Sequence, residues 1–199
     1  MPFRYFLVHK PHGVLSQFIS PHPQRLLGDL GFSFPEGTHA LGRLDLESEG
    51  LLLLTTDKRM TRLLFQGPVP HQRVYHVEVK GRPEEAAIER LRAGVPFLIH
   101  GGRSFTSAPC IVDAVPGPPH DFPSPYKYNP YVPSSWLRIS LTEGRFHQVR
   151  KMVRLVGHPC IRLLRTSISG LELGDLAPGA VRELSAEAFF GGLGMEIPA

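Results

Sequence analysis

The sequence has no long hydrophobic segment and no recognisable export signal. A membrane-spanning helix needs about 20 consecutive apolar residues, and no apolar run in these 199 residues approaches that length. The amino terminus, MPFRYFLVHKP, alternates like a short strand and shows neither a hydrophobic core region nor a small-residue cleavage site. Together with a mean hydropathy of -0.08, these absences predict a cytoplasmic protein with no membrane partner.

Cysteine and metal-binding motifs are equally scarce. Only Cys110 and Cys160 are present, each inside an apolar segment, and we expect buried, reduced thiols rather than a disulfide or a pair of ligands. The ten histidines form no H-E-x-x-H motif, and the chain has no C-x-x-C pair. The spacing therefore argues against a metal centre.

Acidic residues are absent from one long segment, residues 144–165. The whole chain carries a net charge of +4 and has a pI of about 9.3. The basic residues of the segment are Arg145, Arg150, Lys151, Arg154, Arg162 and Arg165. A patch of this kind is typical of a surface that follows a phosphate backbone, so it predicts a nucleic-acid partner.

A second segment lacks the capacity for regular structure. Residues 116–135 contain seven prolines, which exclude a helix or a central strand. Its aromatic residues, interleaved with Lys127, are Phe122, Tyr126, Tyr128 and Tyr131. Two interpretations stay open: the loop stacks on single-stranded bases, or it is a stiff surface connection whose aromatic rings fold back onto the domain.

Hydrophobic periodicity predicts an α+β fold in a single domain over residues 1–199. Strands and helices are mixed without strict βαβ alternation. The predicted strands are residues 5–9, 51–54, 73–81, 110–115 and 136–141, with short strands between 161 and 184. The predicted helices are residues 24–30, 57–65 and 83–94.

A further helix is expected over residues 144–157. One stripe at helical spacing should face the core: Val149, Met152, Val153 and Val156. Arg150 lies at the edge of this stripe, about 100° round the helix. Its stem can therefore be covered while its head enters a cleft. His147, Lys151 and Arg154 are expected on the solvated side.

The segment HALGRLDLESEGLLLLTTD, residues 39–57, joins a charge cluster to a leucine run. Gly42 and Gly50 bracket the cluster, which suggests a tight loop leading into a buried strand. Its charged residues are Arg43, Asp45, Glu47 and Glu49, and they cannot all be buried unpaired. The loop is either a solvated surface loop or the place where a carboxylate near an arginine stays ionised and acts as a nucleophile.

The stretch GRLDLESEGLLLLTTD resembles the signature segment of the RsuA-type ribosomal RNA pseudouridine synthases. Three further segments resemble family motifs in the same order. They are HKPHGVLSQF, the opening lysine–proline motif; RVYHVEVKG, the central tyrosine strand; and residues 141–184, the carboxy-terminal motif. The similarity is greatest to the short large-subunit synthases of the RluE type, which have a proline-rich loop before an SWL strand, as at residues 135–137.

The resemblance implies a pseudouridine synthase fold, with a mixed, mainly antiparallel sheet, flanking helices and a catalytic cleft. It implies cofactor-free and metal-free isomerisation of a uridine in large-subunit (23S) ribosomal RNA by a monomer. Asp45 matches the essential aspartate, which either attacks the nucleotide covalently or takes a proton from the ribose. Arg150 matches the basic residue that pairs with the aspartate. Tyr75 matches the tyrosine that stacks on the target base and takes part in the proton step at C5.

Some positions depart from the usual family pattern. Arg73 stands where lysine is usual, Thr56 where asparagine is usual, and GRFHQ replaces GRNRQ, which brings in His147. The residues expected to contact RNA are Arg43, Arg73, Arg145, His147, Lys151 and Arg154. An accessory S4-type domain is not expected, so target selection falls to the catalytic domain, with residues 116–135 as the candidate element.

Two other classes of function compete with this interpretation. A non-catalytic RNA-binding or chaperone module on the same fold would keep the basic helix and tolerate the loss of Asp45. A metal-dependent hydrolase would use Asp45 with Glu47 and Glu49, although no histidine pattern completes such a site.

Overall fold

A computed structural model describes residues 2–67, 70–127 and 131–198, with only the backbone of His100. The chain forms two compact units. The first unit is Met1–His71 together with Arg165–Ala199, and the second unit is Gln72–Leu164. Across the described ranges, no helix is both long and apolar enough to cross a bilayer.

The described strands and helices are mixed as expected for an α+β protein. In chain order, the strands are β1 (Tyr5–Lys10), β2 (His39–Leu41), β3 (Glu49–Thr55), β4 (Arg73–Lys80), β5 (Pro96–Leu98), β6 (Ser104–Thr106), β7 (Ile111–Val115), β8 (Ser134–Leu141), β9 (Cys160–Ile168), β10 (Leu171–Glu172) and β11 (Val181–Leu184). The α-helices are α1 (Met60–Gln66), α2 (Glu85–Ala93), α3 (Gln148–Leu155) and α4 (Ala186–Leu193).

Two fully buried strands form the centre of the first unit. β1 and β3 are antiparallel, with Tyr5 opposite Thr55, and every residue of both strands is buried. β11 pairs with β1, and β2 pairs with β3. On α4, Phe189 and Phe190 pack on Tyr5, with ring centroids 4.6 and 5.4 Å away. A strand covered on both faces has no solvated face for polar residues, which explains the leucine run of residues 51–54.

An antiparallel ladder in the order β4-β8-β7 organises the second unit. α2 contacts β7, and buries Ile88 and Leu91. The side chain of Arg92 at the end of α2 donates from Nε to the carbonyl of Val112 at 2.8 Å. β5 and β6 form a separate two-stranded hairpin.

The start of α3 was predicted wrongly. The helix begins at Gln148, four residues after the expected Gly144. His147 adopts a left-handed backbone conformation with φ 54°, which an uninterrupted helix does not allow. The Gln148 side chain accepts a hydrogen bond from the Arg145 amide at 2.9 Å, so this side chain organises the turn before the helix. The apolar stripe itself was predicted correctly, because all four of its members are buried.

Other boundaries shifted by a few residues. The predicted helix at 24–30 is a single 3-10 turn, Leu27–Leu30, which ends at Gly31 with φ 72°. Asp57 accepts hydrogen bonds from the backbone and the side chain of Arg59, and α1 then begins at Met60. The three-residue strands and the helix α4 were not predicted, since short elements leave little periodicity in a sequence.

Candidate active site

Asp45 lies in the loop that joins β2 to β3 in the first unit. The Ser48 amide donates to the Asp45 carbonyl at 3.0 Å, which closes a turn over residues 45–48. Asp45 is half-buried, while Ser48 is buried. A half-buried carboxylate in front of a buried strand is held in place and stays accessible to a substrate. This is the location that a catalytic carboxylate requires.

Two side chains of the amino-terminal segment hold this loop through hydrogen bonds to its backbone. The ammonium group of Lys10 is completely buried and donates to the carbonyls of Val14 at 2.7 Å and Leu46 at 3.4 Å. The Ser16 hydroxyl donates to the Leu44 carbonyl at 2.8 Å and accepts from the Leu44 amide at 2.9 Å. Both backbone contacts flank Asp45. From the sequence, Lys10 was placed in the lysine–proline motif but was given no role. A lysine at the end of an apolar strand was the signal that could have indicated its buried position.

The charge cluster is distributed between surface and interior. Glu49 is 2% exposed, whereas Arg43 and Glu47 are exposed. The Arg43 guanidinium donates to the side-chain oxygen of Gln17 at 2.9 Å. The prediction that these charges are not all buried is thus confirmed. The assignment of Arg43 to RNA contact stays a prediction.

Two members of the predicted basic patch are structural. Arg162 and Arg165 on β9 are each only 4% exposed. Arg165 donates from Nε to the Leu51 carbonyl at 2.8 Å, and Gly50 approaches it so closely that a Cβ there would lie 2.2 Å from the Arg165 carbonyl oxygen. Including Arg162 and Arg165 in a phosphate-contacting patch was therefore wrong, because arginines buried in this way support backbone instead.

Tyr75 and Arg150 belong to the second unit. Tyr75 is 9% exposed and lies on β4 opposite Ile139 of β8. Arg150, half-buried on α3, donates from Nη1 to the sulfur of Cys160 at 3.5 Å. Asp45 belongs to the first unit. The pairing of its carboxylate with Arg150 and the stacking of Tyr75 on a base therefore stay predictions.

Most of the other predicted RNA contacts combine cations with aromatic rings in the second unit. Lys151 donates to the Leu98 carbonyl at 2.8 Å, and its ammonium group lies 5.5 Å from the ring centroids of both Phe97 and Phe146. The His147 ring stacks on Phe146 with centroids 3.8 Å apart. This arrangement offers both charge and a stacking face, which are the two features that unpaired RNA recognises.

The remaining predicted contacts differ in exposure. The Arg145 guanidinium lies 4.7 Å from the ring centroid of Phe105, and Arg145 and Arg154 are exposed. Arg73 is half-buried and donates to the Thr142 carbonyl at 3.1 Å. Contact of these side chains with RNA stays a prediction.

Among the described side chains, no group of three histidine, cysteine or acidic residues is arranged to hold a metal ion. Burial raises the pKa of the Cys110 thiol to about 11, and the nearby Glu143 acts in the same direction. Neither Cys110 nor Cys160 forms a disulfide in the part of the chain that the structure describes, and both are only partly buried, whereas buried thiols were expected. Burial, followed by the charge of Arg138, lowers the pKa of His76 to about 4.

Part of the proline-rich loop fits the second interpretation, a connection whose aromatic rings fold back onto the domain, and stacking of the loop on bases stays a prediction. Phe122 is 6% exposed, and Arg162 donates to the carbonyls of Phe122 and Pro123, both at 3.1 Å. This part of the loop folds back onto the domain. Tyr131, in contrast, is 91% exposed. Tyr128 lies outside the described residues.

Comparison with known proteins identifies the class to which this fold and these residues belong. A family model described as RNA pseudouridylate synthase matches residues 4–155. The chain belongs to this family and is an RNA pseudouridine synthase, which is an isomerase.

The chain is also similar to particular members of the class. It is 38% identical to a protein named ribosomal large subunit pseudouridine synthase E from Xanthomonas campestris, over 92% of this chain and 96% of that protein. A protein of the same name from Vibrio vulnificus is 35% identical, over 92% of this chain and 75% of that protein.

A solved structure described as a pseudouridylate synthase superposes with a TM-score of 0.74. It is 23% identical and covers 94% of this chain and 72% of the other. At this identity the likeness concerns the fold, and it confirms the predicted α+β pseudouridine synthase fold.

Proposed function

We propose that this protein isomerises a specific uridine of large-subunit ribosomal RNA to pseudouridine, with Asp45 as the essential group. The observation that carries the proposal is the support of the Asp45 loop. The buried ammonium group of Lys10 and the Ser16 hydroxyl bind its backbone on both sides of Asp45. The similarity to proteins named large subunit pseudouridine synthase E supports the choice of RNA.

The reaction rearranges bonds without changing mass. The bond between C1′ and N1 of uridine breaks, the uracil turns, and C5 bonds to C1′. The proton that C5 loses is balanced by the proton that N1 gains. Asp45 either attacks the nucleotide covalently or takes a proton from the ribose; both roles need an ionised carboxylate.

Arg150 and Tyr75 complete the proposed catalytic set. In this proposal the Arg150 guanidinium pairs with the Asp45 carboxylate during catalysis. The Tyr75 ring replaces the stacking that a uridine loses when it leaves an RNA helix, and the Tyr75 hydroxyl takes part in the proton step at C5. We propose that all three residues act on a single nucleotide.

The experiment is a comparison of native protein with Asp45→Asn on deproteinised large-subunit RNA. Pseudouridine is mapped by carbodiimide labelling followed by reverse transcription. Asparagine is nearly isosteric with aspartate and can neither attack nor take a proton, so the modification should disappear while RNA affinity persists. Glu47→Asn, at an exposed position of the same loop, is the matched control and should stay active.

Substantial activity of Asp45→Asn would contradict the proposal, because it would remove Asp45 from the chemistry, and the loop would then be a surface loop. Unchanged activity in excess EDTA would remove the alternative of a metal-dependent hydrolase that uses Asp45, Glu47 and Glu49.

A further inference from the structure

A cavity of about 520 Å³ lies in the second unit and is bordered by the proline-rich loop; its described lining includes none of Asp45, Tyr75 and Arg150. Its floor is the strand pair β4 and β8, and the loop forms one wall. A volume of this size is typical of a small-molecule or nucleotide site. The lining side chains with a charge, a hydrogen-bonding group or a polar aromatic ring are Glu78, Asp121, Tyr126, Lys127, Ser134, Trp136 and Arg162.

Aromatic surface is available on the floor of this cavity. Trp136 and Glu78 are directly opposite each other in the β4-β8 register, so their side chains emerge from the same face of the sheet. Trp136 is only half-buried. Among the described aromatic rings none stacks on its indole, and Tyr126 is a second ring in the lining. A half-buried indole beside a second aromatic ring suits a flat heterocycle.

The polar groups of the cavity favour a ligand that carries hydrogen-bond donors. Ser134 donates to one oxygen of Glu78 at 2.7 Å, and Glu78 belongs to the lining of the cavity. Asp121 is exposed in the loop that forms the wall. Arg162 also belongs to the lining, but its guanidinium already donates to the carbonyls of Phe122 and Pro123. The Glu78 carboxylate therefore favours a base edge that carries N–H donors. Lys127, exposed in the loop, can hold the adjoining phosphate outside.

A carboxylate accepts hydrogen bonds only. Guanine presents two adjacent donors, N1–H and the N2 amino group, which match the two oxygens of one carboxylate. Adenine and cytosine each present one donor group beside an acceptor on that edge. Uracil presents N3–H between two carbonyl oxygens, which the carboxylate repels. The geometry points to guanine: we infer that this cavity binds an unpaired guanine through Glu78 and Trp136. This inference rests on the proposed function in one respect, namely that RNA is the source of the guanine.

Trp136 is the single tryptophan of the chain, so its fluorescence reports on this cavity directly. The full chain is titrated with the trinucleotides UGU, UAU, UCU and UUU, and with GMP, using N-acetyltryptophanamide to correct for non-specific quenching. UGU should quench Trp136 saturably and bind at least tenfold more tightly than the other three trinucleotides, since a hydrogen bond to a charged group changes affinity by about tenfold or more.

Glu78→Gln tests the carboxylate. The amide keeps an oxygen that accepts from Ser134 and replaces the second acceptor by a donor, so affinity for UGU should fall about tenfold while the fold persists. Glu84→Gln, an exposed position of the same unit, should leave the titration unchanged. Circular dichroism and a urea midpoint check both variants, and the ranking of trinucleotides on native protein needs no variant.

The remaining outcomes each overturn the inference. Equal quenching by all four trinucleotides would mean stacking without base recognition, and absence of quenching would mean that no base enters. Binding of GMP without UGU would assign the cavity to a free nucleotide. The readout is independent of catalysis: Asp45→Asn should bind UGU normally, and native protein that binds UGU but forms no pseudouridine would refute the proposed function alone.

Discussion

Replacing Lys10 with methionine tests whether a buried ammonium group holds the Asp45 loop. Lys10 is inaccessible to solvent, and its Nζ donates to the carbonyls of Val14 at 2.7 Å, Pro11 at 3.0 Å and Leu46 at 3.4 Å. Methionine keeps an unbranched apolar stem of similar length and removes the donor. The buried carbonyls then lose their charged partner.

The expected loss of stability follows from these contacts. Removing one member of a buried charged contact costs about 3–5 kcal/mol in general. Neutral carbonyls are left behind here instead of a bare charge, and the contact with Leu46 is long. We therefore expect the lower end, a decrease of about 3 kcal/mol in the free energy of unfolding.

Turnover should fall as well, because the Leu46 carbonyl adjoins Asp45. A displacement of a catalytic group by about 1 Å can lower a rate about 100-fold. Urea denaturation gives the change in stability, and pseudouridine formation is measured at a temperature where the variant stays folded. Lys58→Met, at an exposed position, is the control and should change neither. An unchanged urea midpoint with full turnover in Lys10→Met would refute the argument.

The remaining predictions concern catalysis, RNA affinity and pH. Arg150→Ala should reduce turnover more than RNA affinity, and Tyr75→Phe should keep the stacking face and impair chemistry; equal losses of rate and affinity in both would indicate a binding surface instead. The double substitution of Lys151 and Arg154 by alanine should weaken binding to every RNA. It should also reduce the slope of log affinity against log salt by about one per lost phosphate contact. An unchanged slope would exclude both contacts. The pKa of His76 in the folded state is lowered to about 4, below the ordinary value of about 6.5. Because the unfolded state therefore binds a proton first, stability is lost as the pH falls from about 6.5 to 4. Urea denaturation should show about 2 kcal/mol less stability at pH 5 than at pH 7.5, and His76→Asn should not show this difference.

Much of the candidate site was predictable because the relevant signals are local. The alternation of β4, the leucine run of β3 and the apolar stripe of α3 are periodic patterns, and periodicity is set by backbone geometry alone. The buried strand that follows the Asp45 loop was predicted from the same patterns, whereas the short strand β2 before the loop was not. The family motifs added the expected roles of Tyr75 and Arg150, which spacing alone does not provide.

The structure of short segments and the burial of charged side chains could not be predicted from the sequence. The arginines of residues 144–165 look alike in sequence, yet Arg162 and Arg165 are buried while Arg154 is exposed. The difference depends on which carbonyls a folded chain brings within reach of each guanidinium. The role of Lys10 could not be predicted for the same reason, since its acceptor at Leu46 lies 36 positions further along the chain.

The sequence by itself determined the α+β class, the family and the loop that carries Asp45, because these depend on periodicity and on ordered motifs. Only the tertiary structure decided that Lys10 and Ser16 fasten that loop, that two arginines support backbone, and that Glu78 faces a cavity beside Trp136. Those facts depend on strand register and long-range hydrogen bonds, and a shift of one residue in register would turn Glu78 to the opposite face of the sheet.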